Sequence, residues 1–283
     1  MSILPAPGIY KGVPSPEYQD WPALRTSHLK AALRSWYHFR RAETVPSEDT
    51  DSLILGRATH CAAFEPSEYA KEFWCPPKVD GRTSEGKAAK AEYAKDPRVQ
   101  LTAEDSADIA AMVTALRNHA DAGKILALPG DSEVSMVWND VRSGLTCKGR
   151  IDRLITRKSG MVIVDLKTAA DASPNGFARS AIGYGYDIQA AQYVDGLRAC
   201  TGIDEIGFVW LVVEKKTNAV AVYSATDAQS QPDFLTNGRH RRDRLMRGLV
   251  ECRKSGNYPG YTDRIEPLRV PAYSIEPEVS NDN

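Results

Sequence analysis

Asp165 and Lys167 stand two residues apart near the end of an apolar stretch, Met161 to Thr168, whose alternation reads as a strand, so both charged side chains project from one face. Charges at the end of a run that belongs in a core call for a chemical reason. The stretch before it, Leu145 to Thr156, reads as a second strand with Asp152 near its centre. Antiparallel pairing of the two strands places the carboxylates of Asp152 and Asp165 side by side. Two carboxylates that close repel, and one pKa rises unless a cation lies between them. A hard divalent ion with oxygen ligands suits that place. Lys167 would stand beside the ion, suited to orienting or activating a water for attack on phosphorus. Taken alone, Asp165-Leu166-Lys167 more often marks surface charges at a strand end, with Asp152 paired to Arg150 or Arg153.

Glu133 opens a third strand, Ser132 to Val141. His60 lies on a helix from about Ser52 to Phe64 in which Leu53, Gly56, His60 and Phe64 share one face. With the two aspartates, these residues supply a metal-ligand set from four elements. Separately, a helical histidine is more often a satisfied core residue and a strand glutamate is more often solvated. Gln189 and Tyr193 fall four apart on the helix after the Asp-Leu-Lys strand and share a face. Beside a metal–carboxylate cluster, an amide and a phenol suit hydrogen bonds to a phosphate or a flanking nucleotide. Packing accounts for the tyrosine equally well.

The elements that must position these groups follow from periodicity. Residues 1–25 carry five prolines and read as extended, anchored by Tyr10, Tyr18 and Trp21. Ser27 caps a helix bearing Leu29, Leu33, Trp36 and Tyr37, ended by Val45-Pro46-Ser47. Residues 76–101 form a polar excursion with a helical pattern from Ser84 to Lys95. Thr102 and Asp105 resemble a capping box opening a long helix that runs to Gly123. The three strands, joined by short turns, form an antiparallel meander. Helices follow over Pro174 to Ile182 and Asp187 to Cys200. Glu205 to Glu214 is a nearly all-apolar strand, paired with Asn218 to Ser224. A last helix spans roughly Asp233 to Lys254. This order describes one α/β domain over 1–265, with an irregular tail over 266–283.

The chain has 283 residues, 42% hydrophobic and 26% charged, which excludes collagen-like, wholly disordered and membrane-spanning classes. The 36 Lys+Arg against 37 Asp+Glu leave a net charge of −1, so any polyanion must be held by a local patch. Two arginine groups offer one: Arg34, Arg40 and Arg41, and the group around Arg241, Arg242 and Arg244. A solvated face is the plain alternative for both. The longest apolar run, Ile206 to Val213, is too short to span a bilayer, and the first thirty residues lack the order of a signal peptide. These features point to a cytoplasmic protein. Five cysteines without a CxxC pair argue against disulfides, structural zinc and an iron–sulfur cluster.

The series Gly56-Arg57-Ala58-Thr59-His60, Glu133, Gly149-Arg150-Ile151-Asp152, Asp165-Leu166-Lys167 and Gln189 to Tyr193 resembles, in that order, the PD-(D/E)XK nucleases of the RecB-like branch. The stretches Leu55 to Tyr69, Arg82 to Lys87 and Ile163 to Asp171 look, more closely, like the C-terminal nuclease domain of the RecE-type exodeoxyribonuclease VIII family. Ile151 stands where the family name has proline, as in many members. The resemblance implies a restriction-endonuclease-like α/β core, a mixed central sheet flanked by helices with N-terminal helical additions. It implies a metal held by His60, Asp152, Asp165 and the backbone carbonyl of Leu166, with Lys167 serving the attacking water and Glu133 joining the catalytic set. Mg²⁺ is the implied ion, and Mn²⁺ suits His60 at least as well. The implied activity is digestion of double-stranded DNA from its ends, 5′ to 3′, leaving 3′ single strands for an annealing protein in phage-type recombination. A ring-shaped homo-oligomer is implied as well. Two alternatives stay open: a RecB-like nuclease on single strands or flaps, and a non-catalytic module that binds DNA ends.

Overall fold

A computed structural model describes residues 3–45, 49–227, 229, 232–271 and 274. The N-terminal arm forms β1 (Gly8–Tyr10), α1 (Ser15–Asp20) and β2 (Leu24–Arg25), then α2 (Thr26–Ala31) and α3 (Trp36–Thr44). Next come α4 (Asp51–Phe64), α5 (Pro66–Glu72), β3 (Phe73–Trp74), α6 (Ser84–Tyr93), β4 (Val99–Gln100), α7 (Ala103–Asn118) and α8 (Ala120–Ala127). The sheet strands β5 (Asp131–Asn139), β6 (Thr146–Arg157) and β7 (Gly160–Ala169) lead into α9 (Pro174–Gly183) and α10 (Tyr186–Thr201). The chain closes with β8 (Ile206–Glu214), β9 (Val220–Ser224) and α11 (Phe234–Ser255).

The main sheet runs β1-β5-β6-β7-β8-β9, with β2 added parallel to β6. The meander β5-β6-β7 is antiparallel as its short turns predict. The crossover through α9 and α10 makes β8 parallel to β7, and β9 returns antiparallel. A mixed sheet flanked by helices is therefore the observed fold. Alternation along the strands builds both faces. Ile163, Phe208, Trp210 and Val212 pack with Leu29, Phe39, Ile188, Leu197 and Leu249 of the helices on one side. Val164, Leu166, Leu211 and Val213 pack with Ala58, Ile109, Met112 and Leu116 on the other. Each large side chain so buried stabilises the fold by about 1.5–3 kcal/mol before entropy is counted.

Two helices break where periodicity alone predicts continuity. The run from Ser27 divides because Ser35 is extended and its Oγ accepts the His38 N–H, capping α3. The predicted stop at Pro46-Ser47 lies outside the described residues. The capping box at Thr102 is present, but α7 ends before His119, whose Nδ1 accepts the N–H groups of Asp121 and Ala122 and starts α8. The polar excursion is closed by an unpredicted parallel pair, β3 with β4. Among the described residues no helix is long and apolar enough to cross a membrane.

One charge fastens the arm. The Lys148 ammonium, 2% exposed on β6, donates to the carbonyls of Tyr18, Gln19 and Trp21 at 2.8, 2.8 and 2.7 Å. Three acceptors satisfy its three donors.

Candidate active site

The β6–β7 ladder runs from Arg157 opposite Gly160 to Arg153 opposite Val164 and stops there. The next facing positions are Asp152 and Asp165. Beyond them β7 stays paired with β8 through Ala169, and β6 stays paired with β5. The sheet thus opens between its two central strands at the two aspartates. Asp152 fills part of the gap: its Oδ2 accepts the Leu166 N–H at 3.1 Å. The β5–β6 register steps from Ser132–Arg153 to Val134–Ile151, and Glu133 between them has φ 50°. A left-handed glutamate costs on the order of 1–2 kcal/mol, strain of the kind that collects at functional sites.

Asp165 is 1% exposed. Its Oδ1 accepts from Gln189 Nε2 at 2.9 Å, and its Oδ2 meets the Lys167 ammonium without a hydrogen bond of ordinary geometry. Burial first, and then Asp152, push the Asp165 carboxyl above the usual carboxylate range, against the pull of Lys167. Burial disfavours the Lys167 charge too, but Asp165 and Asp152 outweigh it and hold that ammonium above the usual lysine value. His60 Nδ1 lies 3.1 Å from Asp152 Oδ2, with its ring edge-on to Phe64. Glu133 sits 3.8 Å from Arg150 Nη1. Although 41% of its side chain stays open, it opens into a cleft; burial there and the Asp152 charge push its pKa up to about 8.

A cavity of about 590 Å³ is walled by Lys30, His60, Glu133, Arg150, Lys167 and Gln189 among others; Lys167 and Gln189 contact Asp165, and His60 contacts Asp152. A larger one, about 960 Å³, lies between the arm and α3 beside Arg25, His28 and Lys148, and holds none of the site carboxylates. The smaller cavity is where the chemistry can occur.

The structure brings together His60, Glu133, Asp152, Asp165, Lys167 and Gln189, and Leu166 lines the same cavity. Tyr193 does not line the cavity; its ring packs against Gly149, where an added Cβ would lie 2.9 Å from it, and Asp152 and Asp165 are within electrostatic reach of its hydroxyl. Burial drives its hydroxyl pKa well up. Two of the three arginines predicted to form a phosphate patch are used inside the fold. Arg241 donates to Asp187 and the Ile182 carbonyl, and Arg242, 3% exposed, pairs with Asp195 and Asp243. They bind α11 to α10, which explains an arginine-rich face next to buried Leu245 and Leu249. Arg244 alone of the three is exposed. Sequence reasoning missed Lys30 and Tyr186, whose ring takes Lys167 Nζ at 4.9 Å and Lys30 Nζ at 5.2 Å.

Among the described residues no three His, Cys, Asp or Glu side chains are arranged as a ligand set. The reason is visible in the contacts: Asp152 Oδ2 faces His60 and the Leu166 N–H, and Asp165 faces Gln189 and Lys167. The donor chemistry nonetheless fits a hard cation. Two adjacent carboxylates, one with a buried oxygen lacking a proper hydrogen bond, gain from positive charge between them, and His60 stands next to Asp152. Asp152 and Asp165 would hold such an ion, with His60 at its side. It would supply Lewis acidity toward a phosphate oxygen.

A family model described as a PDDEXK-like domain of unknown function (DUF3799) matches residues 26–271. The chain belongs to this family. Its match takes in every residue of the cleft except Ser15 of the arm. Among solved structures, a protein of Eubacterium rectale provisionally named an exonuclease aligns over 93% of this chain and 97% of its own, with a TM-score of 0.61 at 17% identity. That likeness establishes a shared fold. A second, SSO0001, covers 81% of this chain and 84% of its own at 14% identity, with a TM-score of 0.30, too low to bear on the fold. No curated protein matches the chain.

Proposed function

We propose that this PDDEXK-like chain is a metal-dependent exodeoxyribonuclease of the RecE type, hydrolysing phosphodiester bonds from the ends of duplex DNA. The observation that carries the reading is the opening of the sheet at Asp152 and Asp165, with Lys167 anchored on Asp165 at the floor of a cleft. An ammonium whose pKa is held up by two carboxylates stays charged. Lys167 therefore serves as a cation that orients water and offsets charge growing on phosphate, not as a base. Glu133, near 8, is the group placed to accept a proton from water at mildly alkaline pH. Asp152 holds His60 and the Leu166 N–H, keeping the floor of the site in register.

The proposal extends to Mg²⁺ or Mn²⁺ as the ion, to 5′ to 3′ digestion, to a 3′ single strand passed to an annealing protein, and to a ring-shaped homo-oligomer in the cytoplasm. It also keeps Arg244 as a phosphate contact. The test is digestion of end-labelled linear duplex, single-stranded DNA and closed circular duplex in Mg²⁺, Mn²⁺ and EDTA. Label at the 5′ end should leave linear duplex first, in either metal and not in EDTA. Circles should survive. Preference for single strands would transfer the assignment to a RecB-like nuclease; duplex-end binding without cleavage in either metal would reduce the chain to an end-binding module.

A further inference from the structure

Lys30 projects from α2 into the wall of the cleft, and its surroundings do not neutralise it. Among the described residues it forms no ion pair. Its Nζ lies 3.5 Å from Gln189 Oε1 and 5.2 Å from the centre of the Tyr186 ring. The two carboxylates within electrostatic reach are committed to others: Asp165 to Lys167 and Gln189, and Asp187 to Arg241 and Asn237. Gln189 is locked between the two sides, its amide N–H on Asp165 and its carbonyl toward Lys30. The Tyr186 ring lies between two ammonium groups, Lys167 and Lys30. A half-buried cation without a counter-charge on a cavity wall costs free energy that an incoming anion would recover.

We propose that Lys30 forms a second phosphate subsite, binding the phosphate of the nucleotide next to the one Lys167 serves. This deepens the nuclease reading and rests on it for the identity of the strand. The subsite belongs to a helix far from the catalytic motifs in sequence, so it adds a grip on the substrate that Asp152, Asp165 and Lys167 do not supply.

The protonation of Lys30 makes the proposal testable without catalysis. Burial, and then repulsion by Lys167, bring the Lys30 pKa down to about 8, with Asp165 and Asp187 opposing. The titratable groups facing it are Asp165 and Lys167 from β7 and Tyr186 and Asp187 from α10, with His60 and Glu133 lining the same cavity. Lys30 binds phosphate only when protonated, so its contribution falls as pH rises above about 8. Glu133 becomes negative near the same pH and would weaken an anion in the same direction. Arginine separates the two, because it stays charged throughout.

The experiment is anisotropy of a labelled duplex oligonucleotide, titrated with full-length protein in EDTA across mildly acidic to alkaline pH and at several salt concentrations. Lys30→Ala should weaken binding by about ten-fold at the acidic end and make the log–log salt slope shallower by about 0.9. Lys30→Arg should keep the affinity and lose the Lys30 share of the pH dependence, while Glu133→Gln should lose only the share that Glu133 adds. Unchanged affinity and slope in Lys30→Ala, a pH dependence as steep in Lys30→Arg as in wild type, or no binding by wild type would each overturn the subsite. Cleavage is assayed separately. Wild type that binds through Lys30 but never cleaves leaves the phosphate subsite standing without the nuclease; cleavage with Lys30→Ala binding normally does the reverse.

Discussion

At the scale of single residues the site is an arrangement of charges that depend on one another. Asp165 and Lys167 form a buried pair beside Asp152, and removing one member of such a pair costs about 3–5 kcal/mol because the other is stranded. Lys167→Met and Asp165→Asn should therefore each lower the midpoint of urea unfolding in EDTA. The double variant should lose less than the two single losses added together, and a loss equal to their sum would mean that the pair is not coupled. Glu133 makes a different prediction. Its pKa rises from 4.5 to about 8 on folding, so between those values the folded chain keeps a proton that the unfolded chain has released. Stability then falls as pH rises from about 4.5 to about 8 and levels off above. Glu133→Gln removes that slope, so its melting temperature in EDTA should gain on wild type across this window. A constant difference would contradict the shift. Asp165 and Lys167 were legible in the sequence because period two puts them on one face of one strand. Lys30 and Tyr186 were not, because 156 positions separate them and neither has a local pattern; only the packing of α2 against α10 joins them.

The elements show which local signals survive tertiary packing. The capping box at Thr102 and the turn chemistry of the meander operate within a few residues and appear in the fold as read. The breaks at Ser35 and His119 were hidden because the apolar spacing continues across them, while a side-chain cap decides each one. The arginines of α11 misled for a related reason: composition marks a helix as basic without showing that Asp187 and Asp195 of α10 neutralise it. That helix pair is close enough to be sensitive to a single carbon. A Cβ on Gly238 would lie 2.0 Å from the Asp187 carbonyl oxygen, whereas one on Gly183 would meet nothing within 4 Å. Gly238→Ala should cost about 1–3 kcal/mol, read as a lowered melting temperature, and Gly183→Ala should be close to neutral. Because Asp187 adjoins Tyr186, the first variant should also slow any cleavage. Equal stability of the two would show that α11 can move aside.

At the scale of the whole molecule, a chain with net charge −1 gathers three cations where the two central strands part, of which Lys30 has no ion pair among the described residues. Lys30, Lys167 and Arg150 line a cleft whose walls come from α2, α4, β5, β6, β7 and α10. The position of the aspartates was readable from the sequence, but the cleft was not, since it exists only where a ladder ends. The arm has its own consequence. Its β1 covers the outer side of β5 by three residue pairs, from Gly8 with Val137 to Tyr10 with Ser135, and Lys148 ties the rest of the arm down. The family match begins at residue 26, past all of this. A chain shortened to the matched span would keep every catalytic group except the Ser15 side of the cleft, yet it would present the nine-residue, mostly buried β5 as a bare sheet edge. Unpaired N–H and C=O groups along such an edge invite another chain to add a strand. The arm thus acts as a built-in guard against self-association, so the shortened chain would be lost to aggregation before its chemistry failed.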